Sequence, residues 1–550
     1  MGGHVKMVRL MEWAVREWGD CGVGGVDLGM RTTQIMIALC LLVVLGVPFA
    51  MSGVKRGDMH AEGARKLIVV TPHVPQIRDE FARAFSEWHQ REYGEAVVID
   101  YRTPGGTSEI KKQLSAMFTN AVKRQYEEKK SSWETGDLLV LEPGAIAFDV
   151  MFGGGSYDHS TLKRGSTVSV KVSDTTTLDL KVAQSAPMDF TQDELDELFG
   201  ENKIGPQKLY DVDQYWIGTA LSSFGIVYNR DVFQDRLGLP LPTQFEDLTQ
   251  HALGGWIALA DPRQSGSITT TFDSILGNEG WEKGWRILRG MCGNTRYFTN
   301  ASTKPPIDVS SGEAAAGLAI DFYGRGQAQV IKESGGGDRV GYQEPQGAVY
   351  VDADPISIIN GGPSPEIAKR FVRFCLTEEA QALWQFAKDN PDNPIGSDGE
   401  PMGPEWSELR RMPVRRMMYE KYFPYFMDQV NPFEIVSDVE NPGWRTGVEV
   451  MMGCFGIDIA EDCRAAYEAL GEAKSSGVFS DAEIAELDAM FFAFPETDVD
   501  GEMVPFTEAT YGTVRNEWRK PGRQQRLEIE YTQFYRDNYR AIVELVSEKL

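Results

Sequence analysis

Long apolar runs are scarce in this chain of 550 residues, and the one that stands out, Ile35–Phe49 (IMIALCLLVVLGVPF), is shorter than the roughly 20 residues of a comfortable membrane span. Positive charge is short as well: 55 Lys plus Arg face 81 Asp plus Glu, a formal charge of −26. Such a surface repels nucleic-acid backbones and anionic membranes, so neither is an expected partner. It leaves a local anion site open, because distant charge is screened beyond about 8 Å. Histidine and cysteine number six each, with no CxxC pair, no HExxH and no GxSxG. Zinc ribbons, thioredoxin-like sites, zinc proteases and hydrolase nucleophile elbows are thereby unsupported. No enzymatic role is predicted.

What is present is material for more than one core, since single cores rarely grow past roughly 250–300 residues. Residues 1–52 read as a leader. Arg31 precedes the apolar run, Lys55 and Arg56 follow it, and Ala50 and Ser52 form an A-x-S cleavage pattern. Met30 is an alternative start, and an uncleaved membrane tether through residues 35–49 is the competing reading. Export removes Cys21 and Cys40 and leaves Cys292, Cys375, Cys454 and Cys463, which permit disulfides or buried thiols. Cys454 and Cys463 are the pair most easily closed locally.

From Lys66 the sequence alternates strand and helix. KLIVV ends at Thr71–Pro72, and Ile77, Phe81, Ala84, Phe85 and Trp88 then recur at helical spacing up to Gly94. Ala96–Tyr101 is a second strand, a helix follows Thr107–Ser108, and Ala147–Phe152 ends in three glycines. Thr219–Asn229, Trp256–Pro262, Ala315–Phe322 and Gly347–Gly362 read as further strands, with helices over Phe272–Leu288 and from Pro365. This rhythm predicts an α/β fold with a mostly parallel sheet. Lys163–Tyr210 is a polar excursion at a lobe edge, and the chain beyond Pro391 is mainly helical.

Two turns carry the chemistry. TPGGTS (Thr103–Ser108) joins a strand to a helix, so Gly106, Thr107 and Ser108 offer free N–H and hydroxyl donors to an oxyanion. DPRQSGSITTT (Asp261–Thr271) offers Ser265, Gly266, Ser267 and Thr269 in the same way. The two are predicted to face each other across one cleft. Thr71 and His73 end the first strand, where open α/β sheets bind ligands.

Several segments together resemble the periplasmic binding proteins of the iron(III), thiamine and phosphonate group: IVVTPH, GGTSEI, AFDVMFGGG, GTALSSFGIVYNRDVF, WIALADPRQSGS, VSSGEAAAGLAIDFY and INGGPSPEIAKRFVRFCLTEEAQALW. They lie in order between Leu67 and Phe386. The resemblance implies an α/β, two-lobed fold of type II, with residues 65–164 in lobe 1, 165–344 in lobe 2, 345–390 returning to lobe 1, and 391–550 as a helical C-terminal extension. It implies a monomeric, extracytoplasmic partner of an ABC importer permease that closes on a small ligand by hinge motion. MPVRR (Met412–Arg416) is similar to a motif near the end of such proteins. The extension is a helical cap on the first lobe or a partner-docking module. Iron-binding members carry adjacent tyrosines where this chain has Asp321, Phe322 and Tyr323, and Phe322 cannot ligate. Two ligand classes follow: a phosphonate- or organophosphate-like anion on the two turns, or iron(III) held by Asp321, Tyr323 and His73. No cofactor is implied.

Overall fold

In the computed structural model the described residues are 63–129, 133, 139–173, 175–345, 348–440 and 442–550. The leader, its apolar run, the cleavage pattern, Met30, Cys21 and Cys40 lie outside them. Strand β1 (Arg65–Val70) pairs in parallel with β2 (Val97–Arg102) on one side and β3 (Val150–Phe152) on the other. The helix between β1 and β2, Pro75–Tyr93, starts on a proline whose missing N–H costs nothing there. It stops at Gly94 in the left-handed conformation (φ 69°) and buries Ile77, Phe81 and Phe85 against the sheet. Helix Thr107–Lys129 follows β2, and helix Ser156–Arg164 follows β3.

A hairpin of β4 (Ser166–Lys171) and β5 (Thr177–Val182) and the short β6 (Ser185–Ala186) lead to β7 (Ile217–Asn229), which is buried along its whole length. After it come β8 (Ile257–Ala260), β9 (Thr295–Thr299), β10 (Ala316–Ile320), β11 (Val340–Gln343), β12 (Val351–Ile359) and β13 (Met412–Pro413). The sheet runs β2-β1-β3-β12-β7-β10-β8-β9, with β11 and β13 on β7 and β6 on β12. Residues 217–223 of β7 pair with β12 in the first lobe, and residues 224–229 pair with β10 and β11 in the second. One strand therefore belongs to both lobes. A small hairpin, β14 (Thr497–Val499) and β15 (Glu502–Val504), completes the strands.

The two-lobed α/β architecture with extra C-terminal helices is present, and the sheet is mixed, because β7 and β12 run antiparallel to their neighbours. Several boundaries move. The stretch from Ser166 to Leu221 belongs to the first lobe: Val168, Val170, Leu180 and Val182 form one face of the hairpin and pack on Ile110 and Leu114, while Leu195, Phe199 and Leu209 join the β1–β2 core. Alternation of buried and exposed residues, the signature of a half-buried strand, is the physical reason. The extension divides. Leu409, Met412 and Val414 pack into the first lobe, whereas Val448 to Val546 share one core with Trp281, Trp285 and Leu288 of the second. The helices from Arg445 onward are thus part of the second lobe and not a cap on the first. The helix expected over Phe272–Leu288 is two, Gly266–Glu279 and Trp281–Asn294, broken at Gly280 (φ 78°). All four cysteines are unpaired and buried, Cys454 and Cys463 among them, and burial pushes those two thiols up to about 12.

Candidate functional site

Between the lobes lies a cavity of about 200 Å³. Its walls come from the ends of helices: Gly105–Thr107 at the start of Thr107–Lys129, Gly154–Gly155 before Ser156–Arg164, Ser265–Ser267 at the start of Gly266–Glu279, and Ser302–Thr303 before helix Lys304–Ser311. The first N–H groups of any helix lack an internal acceptor and carry the positive end of its dipole. Here one such end comes from each lobe, at Thr107 and at Gly266, because the Ser156 N–H already donates to Asp352 at 3.0 Å and helix Lys304–Ser311 begins with Pro305 and Pro306, which have no N–H. Strand β12 supplies Asp352, Ala353 and Asp354, β7 supplies Ser222 and Phe224, and Arg411, the residue before β13, closes the wall with Pro72, His73 and Tyr323.

The turns around Thr107 and Gly266 lie against each other. A Cβ on Gly266 would stand 2.6 Å from Thr107 Oγ1 and 3.0 Å from Asp158 Oδ2, so only glycine allows this approach of one lobe to the other. Ser265, Ser267 and Ser302 form a chain of hydroxyls at 3.2 and 3.1 Å. Arg445, from the C-terminal helices, donates to the Gly266 carbonyl at 3.0 Å and to Thr270, and lies 4.3 Å from the Tyr157 ring centroid of the first lobe.

Charge at the cavity is largely paired. Arg411 forms an ion pair with Asp354, and His73 Nε2 lies 3.0 Å from the guanidinium and 3.1 Å from the carboxylate. Burial, with the Arg411 charge beside it, holds His73 well below the usual imidazole range, so it is neutral. Burial lowers Arg411 to about 10, which leaves it charged at neutral pH. A Cβ on Gly153 (φ 92°) would stand 2.4 Å from His73 Nε2, which explains the glycine there. Lys111 holds Asp158; burial pushes that carboxyl up, but Lys111 and Arg445 outweigh it and keep it lowered.

Of the residues singled out in the sequence, His73, Gly106, Thr107, Ser265, Gly266, Ser267 and Tyr323 line the cavity. Thr71 stands behind it, donating to the Phe152 carbonyl at 2.6 Å and accepting the His73 N–H at 3.0 Å. Thr269 is buried and bonded to the Pro262 carbonyl at 2.7 Å, and Ser108 is outside the wall. The boundary at Asp321 is a correction. Strand β10 ends at Ile320, two residues earlier than its apolar run suggests, so Asp321 opens a helix, accepts the Phe322 N–H at 2.8 Å and pairs with Arg325 at 3.4 Å. His73 and Tyr323 line the cavity and Asp321 lies outside its wall. Sequence reasoning missed Asp352, Asp354 and Arg411. Its available signal was DAD inside an otherwise apolar strand, since a buried acid needs a partner.

Residues 160–389 match the family described as bacterial extracellular solute-binding protein. Among curated proteins, a phosphoglycerate transport regulatory protein, PgtC, of Salmonella typhimurium is 29% identical over 107 residues, which are 20% of this chain and 27% of that protein. The match spans about a quarter of that relative. Among solved structures, the periplasmic binding protein AfuA from Actinobacillus pleuropneumoniae, with exogenous fructose-6-phosphate bound, aligns at 17% identity with a TM-score of 0.41, covering 58% of this chain and 82% of its own. Iron-bound HitA from Pseudomonas aeruginosa aligns at 16% with a TM-score of 0.45, covering 70% and 98%. The segment that matches the family, Ser160 to Asp389, runs across β7 and through parts of both lobes.

Proposed function

We propose that the protein is the extracytoplasmic solute-binding component of an ABC importer and that it traps a small phosphorylated or phosphonate-type organic anion between its lobes. The observation that carries this reading is the convergence of two helix N-termini, one from each lobe, at Thr107 and Gly266, on one cavity. Backbone N–H groups at such ends bind oxyanions without a cation. A ligand touching donors on both lobes stabilises the closed state through contacts the open state lacks. The cavity lies below the roughly 300–1,000 Å³ of pockets that take drug-sized molecules, which suits a ligand of a few carbons. The phosphoglycerate in the name of the curated relative points to the same class. Iron(III) is disfavoured because three of the carboxylates near the cavity are engaged, Asp354 with Arg411, Asp158 with Lys111 and Asp321 with Arg325, which leaves Asp352 as a single carboxylate for a cation that needs several.

Thermal-shift and calorimetric titration of the purified chain with 3-phosphoglycerate, inorganic phosphate and ferric citrate tests this. A phosphorylated acid at 100 times its Kd should stabilise the protein by about 2.7 kcal/mol and be recovered unchanged. Gly266→Val, which drives a side chain into Thr107, should abolish that shift. Stabilisation by ferric ion alone would overturn the reading. The word regulatory in the relative's name favours a second reading, a membrane-anchored sensor of the same fold. Sequencing the mature N-terminus separates the two, since a sensor keeps residues 35–49.

A further inference from the structure

Strand β12 presents two carboxylates on one face, two residues apart, and their surroundings differ. Asp354 is saturated: Oδ1 accepts the Gly154 N–H at 2.8 Å, and Oδ2 meets His73 and Arg411. Asp352 is equally buried, at 4% exposure, and lines the cavity. Its Oδ2 accepts the Ser156 N–H at 3.0 Å, but its Oδ1 has no hydrogen-bond partner among the described residues. Thr107 Oγ1 and Ser222 Oγ in the same wall are also unpartnered. A hydroxyl either donates or accepts, so those two atoms suit an anion. An ionised carboxylate only accepts. A buried acceptor left unpaired is costly, and beside it a bare anionic oxygen is repelled.

Resting on the anion reading of the cleft, we propose that the ligand also brings a hydrogen-bond donor, a hydroxyl or an ammonium, to Asp352 Oδ1, and that Asp352 determines specificity by rejecting anions that lack one. The ligand then lies with its anionic end at the helix N-termini and its donor end at β12. Neighbouring charge does not substitute for such a donor. Lys111 is spent on Asp158 and Arg411 on Asp354, while Arg445 bonds the Gly266 carbonyl and Thr270.

Three phosphonates of one size provide the test: 2-hydroxyethylphosphonate, 2-aminoethylphosphonate and ethylphosphonate, titrated calorimetrically into the full chain. Burial raises Asp352 to about 6, so measurements at pH 8 keep it ionised. At least one of the hydroxyl and amino compounds should bind about 10- to 100-fold tighter than ethylphosphonate, the range for a hydrogen bond to a charged group. Which of the two wins identifies the donor. In Asp352→Ala and Asp352→Asn that preference should collapse, with circular dichroism and cooperative thermal unfolding showing that the variants are folded. Equal binding of all three by the unaltered chain, or a preference that survives in both variants, would overturn the role of Asp352. Binding of none of the three would overturn the anion reading and this proposal with it.

Discussion

The two lobes reach the same α/β arrangement by different routes. The first closes its core over Leu67–Leu221, the return through β12 and the segment Pro365–Val414, all of it complete before the last hundred residues. The second leaves Trp281, Trp285, Leu288 and Met291 to be covered by Val448, Phe455, Tyr467, Tyr531, Tyr535 and Tyr539, whose closest approach in sequence is more than 150 residues away. A lobe whose core is finished by the end of the chain cannot be cut without being opened.

Ending the chain at Glu440 breaks this comparison most severely. Each large apolar side chain contributes roughly 1.5–3 kcal/mol on burial, so the loss of even five is comparable to a whole protein's stability of about 5–15 kcal/mol. The second lobe should lose its near-ultraviolet dichroism and aggregate; a soluble, cooperatively unfolding fragment would show that its core is self-sufficient. Arg289→Ala is a narrower cut at the same seam. Its guanidinium donates to the carbonyls of Phe491 and Ala493, both at 2.7 Å, and lies 4.4–4.8 Å from the ring centroids of Phe455, Phe494 and Tyr535. Removing it should cost about 3 kcal/mol in urea unfolding, from two stranded carbonyls and lost ring contacts.

The first lobe has a counterpart in Glu80, which is fully buried and accepts the N–H groups of Glu405, Trp406 and Ser407 at 3.0, 2.5 and 2.7 Å. Glu80→Ala should cost about 2 kcal/mol, loosening only the loop it holds, visible as faster amide exchange at residues 405–407. The smallest effect is a pH response of opposite sign in the two lobes. In the second, burial raises Asp273 to about 6. The folded state then keeps a proton that the unfolded chain releases near pH 4, and stability falls as pH climbs between those values. In the first, Lys369 and Arg373 lower Asp189, and the Thr191 N–H with Arg373 lowers Glu194. That contribution is present above pH 4 and is lost as pH falls. In urea unfolding, Asp273→Asn should gain stability relative to the unaltered chain as pH climbs from 4 to 6, whereas Asp189→Asn should lose it relative to the unaltered chain over the same range.

Local signals made most of the first lobe legible. Gly94, Pro75 and the 3.6-residue spacing of Ile77, Phe81 and Phe85 specify a helix without reference to anything distant. The donor turns were legible for the same reason, since glycine and hydroxyl residues after a strand announce a helix start. The affiliation of Ser166–Leu221 and of the last hundred residues was not, because burial there depends on partners far along the chain. The boundary at Asp321 moved by two residues: AIDF reads as strand until the helix that follows is seen to begin at the aspartate. Arg411 and Asp354 were hidden by their separation, as neither shows a partner nearby in sequence.

Strand β7 sets a limit on how this molecule moves. At about 3.3 Å per residue, its thirteen residues run roughly 40 Å as one ribbon, stitched to β12 and β13 at one end and to β10 and β11 at the other. A shared ribbon of this kind bends and twists but neither stretches nor slides, so the lobes cannot drift apart and must find their register again. Opening is confined to rotation about a line fixed by covalent bonds, and each closure brings Gly266 back to Thr107.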